Sequence, residues 1–420
     1  MKRIVFLILV LTLVGSGLIF AAGQQEKAKE ITLKWPCIWV GEDSKANAVA
    51  ALVEQFNADN TGSIKVEIEA QPDYDGYEQK IRTSIAAGIV PDVFTMKLNP
   101  TTKAYYESDL LMDFSKELAK GWGNDFNAGT VSQATVNGMV KSLPYEVAIT
   151  PVWYNMDLLK KAGVSSYPKT YKEFMDTAAK LKAAGIIPTS QMTGGSNAWT
   201  SMLWYSHFLA SIGGKDVYNN LFKDPAYVKA AEVLLAMYSN GNTSRDAVGG
   251  DAGVSGGHYL AAESAMFING PWYIGRVKKD APEVYAATEV GPAPATGGNS
   301  GAQIGFLQTN FAAAASADDP AKAAAEVKFI KWMTKAENVA EISKQAGSLF
   351  AVKYDASSID DPLQQKFIEA SNNASFTIPH LAGVVPADVV SEFGQALGKM
   401  ALGDATPAEF VEMLKKVNEQ

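Results

Sequence analysis

The chain has 420 residues, 37 Lys and Arg against 45 Asp and Glu, and one cysteine. A formal charge of −8 argues against nucleic acid or an anionic membrane surface as partner, and Cys37 alone excludes an internal disulfide. With 8 Trp and 16 Tyr beside only 3 His, the chain is rich in flat surfaces and poor in catalytic bases.

Lys2 and Arg3 precede an apolar run from Ile4 to Leu11, extended through Leu13 and Val14, and Ala21-Ala22-Gly23 lead into the polar "QQEKAKE". A charged start, an apolar middle and small residues at the end predict a signal peptide over 1–23, cleaved after Ala22 or Gly23. Gly23 is preferred because Ala21 then stands at the upstream small-residue position. No cysteine sits at that point to carry a lipid, so the expected mature chain is exported to the periplasm and not anchored. Removing Lys2 and Arg3 from the 37 bases leaves 35 against 45 acids, a net charge of −10. Later apolar runs are too short to span a membrane, and the length suggests two or three domains.

"EITLKWPCIWV" reads as a first strand, ended or bent by Pro36. A helix is predicted from about Lys45 to Asn57, with Val49, Leu52, Val53 and Phe56 on one face. "SIKVEIEA" alternates as a half-buried strand. "GYEQKIRTSIAAG" is a helix with Tyr77, Ile81 and Ile85 at fourfold spacing, and "PDVFTM" is a short buried strand. Further on, Thr170 with Glu173 predicts a capping box before a helix carrying Phe174, Ala178 and Leu181. Asp224-Pro225 and Asp319-Pro320 each open a helix, and the pairs Thr334/Glu337 and Thr406/Glu409 have the same cap spacing. "AAESAMFI" is a strand among these helices. Strand–helix alternation of this kind predicts an α/β fold of two lobes.

Signs of an enzyme are few. H-E-x-x-H and P-loop patterns are absent from the sequence, and His207, His258 and His380 are not at zinc-ligand spacing. Neither a metal nor a cofactor is expected. Glu146 in "LPYEVA" can serve a glycosidase only with a second carboxylate opposite it. Tyr105-Tyr106 is similar to the paired tyrosines of ferric-ion-binding proteins, with core packing as the plainer reading. In "AMFINGPWYIG", a buried strand stops at Asn269-Gly270-Pro271 and Trp272 follows at once. That indole either caps the core or forms a platform for a flat ligand.

"LPYEVAITPVWYNMDLLKKAGVSSYPKTYKEFMDTAAKLKAAG" resembles the family 1 extracellular solute-binding proteins of ABC importers, the carbohydrate-binding, maltose-binding-protein-like type. The resemblance rests on Leu143-Pro144-Tyr145, Tyr154-Asn155, Leu158-Leu159 and Pro168-Lys169-Thr170, on "AGIVPDVF", on "AMFINGPW" and on "AAAEVKFIKWMTKAENVAEI". These segments run in the family's order through nearly the whole mature chain. Two features depart from the pattern: Ala262 stands where a glycine is common, and "GSLFAVK" lacks a usual proline.

The resemblance implies a type II-like periplasmic-binding-protein fold: two α/β lobes, a hinge of several strands, and a ligand cleft between the lobes. It places residues 30–139 and 271–320 in the N-terminal lobe, and 140–270 and 321–420 in the C-terminal lobe. Crossings are expected near Ser142–Thr150, Ile268–Trp272 and Ala315–Ala321. It also implies a noncovalent binder, not an enzyme, that hands an oligosaccharide or glycoside to the importer's transmembrane subunits, and a monomer. Trp272 is the expected stacking platform, and Glu146 beside Tyr145 the hydroxyl acceptor. Trp39, Asp43, Gln71 and Asn99 follow strand ends, where a cleft would lie. Asn269 shapes the turn or reaches ligand, and one of Trp199 and Trp204 stacks while the other packs. Phe306 and His380 complete the candidates. Asp92 is expected to organise its loop instead of touching ligand. A non-sugar solute (a polyamine, glycerol phosphate or a metal) is the alternative cargo.

Overall fold

The computed structural model describes residues 30–127, 129–195, 198–355 and 359–420. The expected signal peptide and its cleavage point lie outside the described residues.

The first lobe starts with β1 (Ile31–Cys37), helix α1 (Ala46–Asp59), β2 (Ile64–Ala70), helix α2 (Tyr74–Ala86) and β3 (Val93–Met96). β1 and β2 pair in parallel, Ile31 opposite Ile64, as a strand–helix–strand unit requires. The helix faces predicted from spacing are the buried ones: Val49, Leu52, Val53 and Phe56 on α1, and Tyr77, Ile81 and Ile85 on α2. Tyr77 also fixes α2 to β3, its hydroxyl accepting from the Thr95 amide at 2.9 Å and donating to the Thr95 carbonyl at 2.7 Å. Asp92 organises its surroundings, accepting the Lys34 amide at 2.7 Å and pairing with Lys322 at 2.6 Å.

The second lobe is built on a four-stranded sheet in the order β6 (Ile187–Thr189), β7 (Ser264–Ile268), β5 (Val152–Asn155), β8 (Thr288–Gly291). Successive side chains point to opposite faces of a strand, and here both faces are buried. Val152, Tyr154, Met266 and Ile268 enter one core. It is shared with helices α3 (Tyr171–Ala183), α4 (Trp199–Gly213) and α5 (Ala226–Ser239). Trp153 and Phe267 enter another core on the opposite face. That face is covered by α6 (Ala252–Leu260), α7 (Ile274–Asp280) and α8 (Pro282–Ala287).

The hinge consists of β4 (Leu143–Ile149) and the eleven-residue β9 (Gln303–Ala313), which pair antiparallel. At its first-lobe end β9 also pairs with β3, and at its second-lobe end with β11 (Thr377–Ile378). One strand therefore belongs to both lobes. The third passage follows β10 (Leu349–Phe350), running from Tyr354 on the first core to Leu363 in the second lobe.

These passages correct the expected boundaries. Residues 271–302 stay with the second lobe, where Ile274, Val277, Val284 and Val290 pack with Trp153 and Phe267. The turn at Trp272 only touches the first lobe, its carbonyl accepting from Ser44 Oγ at 2.9 Å. Helices α9 (Pro320–Met333) and α10 (Ala336–Ala346) belong to the first lobe, contributing Phe329, Ile330, Met333, Val339 and Ile342 to the core around Trp35. Phe329 lies 5.4 Å from Trp35 and 5.2 Å from Phe56 between ring centroids. The return expected near Ala315–Ala321 has already happened along β9.

Helix α11 (Pro362–Asn372) completes the face with Trp153, and α12 (Ala387–Leu402) and α13 (Pro407–Asn418) complete the other core. The capping boxes at Thr170/Glu173 and Thr406/Glu409 form. The one at Thr334/Glu337 does not, because Thr334 ends α9 with its hydroxyl on the Ile330 carbonyl at 2.9 Å and Lys335 opens α10. Ala262 adopts φ +54°, a left-handed conformation that costs an L-residue roughly 1–2 kcal/mol. Its side chain is exposed. Ala262→Gly is expected to raise unfolding stability by about 1 kcal/mol, read as a higher urea midpoint at unchanged slope.

Candidate functional site

The lobes meet across a cleft with contacts on both sides. On one side Thr101 Oγ1 accepts from the Ala387 amide at 3.0 Å and Arg82 lies 3.9 Å from Asp388. On the other, Ser44 bonds the Trp272 carbonyl. Between them lies a cavity of about 330 Å³ and an adjoining one of about 220 Å³, both lined by Tyr74, Lys97 and Trp199. The larger volume is at the low end for small-molecule sites.

The hinge strand sets the first-lobe wall. β4 slips register against β9 around Glu146: Pro144 faces Asn310, Glu146 faces Thr309, and Val147 faces Leu307. Such a bulge re-aims side chains. Tyr145 turns into the first core, 4.6 Å from Phe311 and 5.0 Å from Phe350, while Glu146 lines the cavity. Lys45, at the start of α1, stands 3.5 Å from both Asp43 and Glu146 and 5.7 Å from the centroid of Trp39. Burial alone would lower the Lys45 pKa, but Asp43 and Glu146 outweigh it and hold the ammonium above its ordinary range. Carboxylate, ammonium and carboxylate form one fixed row of acceptors and donors under an indole.

The second-lobe wall is aromatic. Trp199, the first residue of α4, lies 6.0 Å from Trp272 with the rings at 50°. Behind it stand Phe306 at 6.1 Å and His380 at 4.9 Å, themselves 4.2 Å apart. Burial first, and then Lys97, push the His380 pKa down to about 3, so its ring is neutral and packs as an aromatic. From the first lobe, Lys97 reaches over the rings of Tyr74 at 4.8 Å and Trp199 at 5.6 Å while pairing with Glu78 at 2.6 Å.

Of the residues singled out in the sequence, Trp39, Asp43, Glu146, Trp199 and Trp272 line the larger cavity, and Asn99 lines the smaller. Asn99 also caps a helical turn by accepting from the Thr102 amide at 3.0 Å. The other six stand elsewhere. Tyr145 is core, as is Trp204, which is fully buried against Phe174 and Phe208. Trp199 and Trp204 are five residues apart, roughly 140° around a helix, so one faces the cleft and the other the core. Asn269 shapes the turn, its Oδ1 accepting from the Gly270 amide and its carbonyl from Trp153 Nε1. Gln71 lies outside both cavities, tied through its amide to the Cys37 carbonyl. Phe306 and His380 support Trp199 without lining either cavity.

Lys45, Tyr74, Lys97 and Asp251 line the larger cavity and were not singled out. Lys45 left one signal, a cation at a helix N-terminus, where the helix dipole disfavours it. Asp73, which follows β2, and Gln308, in the middle of β9, also line this cavity. Tyr105 lines the smaller one, whereas Tyr106 is core, its hydroxyl on the Ala134 carbonyl at 3.0 Å. Among the described residues no group of His, Cys, Asp and Glu is placed to hold a metal ion. No described helix is long and apolar enough to cross a membrane.

Residues 42–340 match the family model described as bacterial extracellular solute-binding protein. A multiple sugar-binding protein of Streptococcus mutans is 24% identical over 324 residues, 74% of each chain. An sn-glycerol-3-phosphate-binding periplasmic protein of Escherichia coli is 24% identical over 393 residues, 86% of this chain and 82% of its own. Among solved structures, a chitin oligosaccharide binding protein superposes with a TM-score of 0.85 at 22% identity, over 93% of this chain and 98% of its own. A maltose-bound T. maritima protein gives 0.76 at 21% identity, over 93% and 99%. Both share this two-lobed fold. With well over half its length matched by the family model, and with its cleft held between two hinged lobes, the chain belongs to the bacterial extracellular solute-binding proteins.

Proposed function

We propose that this protein captures a sugar, an oligosaccharide or glycoside, noncovalently in its interlobe cleft and delivers it to the membrane subunits of an ABC importer. In this reading it works outside the cytoplasmic membrane after removal of its leader, and ligand stabilises a closed arrangement of the lobes. The observation that carries the reading is the composition of the two walls of one cavity. Trp199 and Trp272 offer indole faces from the second lobe, and Glu146, Lys45 and Asp43 offer a fixed polar row from the first. A sugar ring has an apolar face of C–H groups and a rim of hydroxyls, which suits indoles on one side and charged acceptors and donors on the other. Relatives named for sugars, and neighbours bound to them, support the same class.

A phosphate ester fits less well, although one relative is named for glycerol phosphate. Lys45, Lys97 and Arg82, which line the two cavities, each have a carboxylate within 4.0 Å. Little positive charge is left for a phosphate dianion. Titrating the mature protein with neutral oligosaccharides and glycerol phosphate, followed by Trp fluorescence and calorimetry, tests the reading. One neutral sugar is expected to bind with one-to-one stoichiometry at micromolar affinity or better, about −8 kcal/mol, and to be recovered chemically unchanged. Saturable binding of glycerol phosphate alone would overturn the sugar assignment, and conversion of a bound sugar would overturn the transport role.

A further inference from the structure

Some side-chain polar atoms are buried without a hydrogen-bond partner among the described residues, the indole nitrogens of Trp35 and Trp204 in the two cores for example. Of the residues that carry such an atom, Gln308 is the one that lines a cleft cavity, the larger of the two. Its Oε1 is buried and accepts from nothing among the described residues. A buried acceptor left without a donor costs the fold its full desolvation penalty, and native proteins hold few of them. The strand pairing shows how the side chain comes to be there. Pro144 pairs with Asn310, Glu146 with Thr309 and Val147 with Leu307, which leaves Tyr145 on β4 and Gln308 on β9 without a cross-strand partner. A residue released from the ladder in this way has its side chain re-aimed. Tyr145 goes into the first core and Gln308 into the cavity. Glu146, beside the same slip, lines that cavity too and meets the Lys45 ammonium only at 3.5 Å, beyond ordinary hydrogen-bond length. Two acceptors thus stand together on the hinge strands, short of donors.

We propose that Gln308 is a specificity-determining residue: its Oε1 accepts from one hydroxyl of the bound sugar while Glu146 accepts from the adjacent hydroxyl of the same ring. The cargo therefore presents two neighbouring free hydroxyls to the hinge. This rests on the reading of the cleft as a saccharide site. The indoles of Trp199 and Trp272 hold a ring by its apolar face and distinguish poorly between one sugar and another. A buried acceptor discriminates sharply, because an analogue lacking the matching hydroxyl leaves it unpaired. The free protein carries the cost of the orphaned oxygen, and the right ligand relieves it.

The test is calorimetry on the wild type and Gln308→Met with maltose, xylobiose, diacetylchitobiose and glycerol phosphate, followed by monodeoxy analogues of whichever sugar binds. Methionine keeps the length of the side chain and removes the acceptor. Gln308→Met is expected to bind the parent sugar at least about tenfold more weakly. On the wild type, the two analogues lacking adjacent hydroxyls are expected to lose at least as much. One of those two is expected to bind Gln308→Met as well as the parent sugar does, the mark of a direct pair. Without ligand, Gln308→Met is expected to raise the urea midpoint, because the orphaned acceptor is gone. A lower midpoint together with weaker binding would make Gln308 a packing residue and overturn the inference. Parent affinity within about threefold of wild type, or the same deoxy penalties in both proteins, would overturn it and leave the sugar reading standing. Binding of glycerol phosphate alone, or silence from every probe, would overturn the sugar reading and this inference with it.

Discussion

Lys45→Met is expected to destabilise the folded protein by about 3–5 kcal/mol, the cost of breaking a buried ion pair from one side. Lys45 and Glu146 are both almost fully buried, 3.5 Å apart, with Asp43 at the same distance on the other flank. Taking the ammonium away leaves the Glu146 carboxylate in the hinge facing the carboxylate of Asp43 with nothing between them. Urea unfolding at neutral pH measures the loss. Adding Glu146→Gln to Lys45→Met is expected to recover much of it, because the stranded charge is then gone. If the double variant is as unstable as the sum of the singles, the row is not a coupled unit. The sign of the pH dependence follows from a pKa raised on folding. This stabilisation is fully present below the ordinary lysine value of 10.5 and is lost as pH rises through the higher folded-state value. On the alkaline side, the gap between wild type and variant is therefore full at neutral pH and narrows as pH rises past the ordinary lysine value.

The position of Lys45 also shows which features were legible in the sequence and which were not. Local signals carried well. The spacing of Val49, Leu52, Val53 and Phe56 gave the buried face of α1, and Thr170 with Glu173 gave a real cap. Trp272 stands at a cleft because the strand before it is buried on both faces and stops at an Asn-Gly-Pro turn. What failed was whatever depends on how far an element reaches. β9 is long enough to serve both lobes, and nothing in "AQIGFLQTNFAAAA" marks where along it the chain changes lobes, so the boundaries at 271 and 320 were misplaced. Tyr145 and Glu146 are neighbours, yet only one reaches the cleft. Neighbours on a strand point to opposite faces, and which of the two meets the cleft depends on how β4 pairs with β9, not on either residue. Lys45 and Asp251 are cleft residues through partners 101 positions away in the first case, and through the opposing lobe in the second.

Trp199→Ala is expected to weaken ligand binding by about 2–3 kcal/mol, roughly 30- to 150-fold, with little change in unfolding stability. Trp199 is the aromatic on which the others converge: Trp272 beside it, Phe306 and His380 behind it, and Lys97 over it from the other lobe. It lines both cavities, whereas Trp272 lines only the larger. Removing it takes away one stacking face and joins the two spaces into a wider one. Trp272→Ala removes a single face and is expected to cost less. Phe306→Leu touches no cavity, yet it loosens the support that holds the Trp199 ring, and is expected to cost about 1 kcal/mol of affinity. The three variants separate a stacking site from a cavity wall. If Trp272→Ala abolishes binding while Trp199→Ala leaves it within a factor of about three, the ligand lies wholly against the turn after β7. If the order is as expected, it spans the indole that separates the two cavities, and its length is set by how far it extends on either side of Trp199.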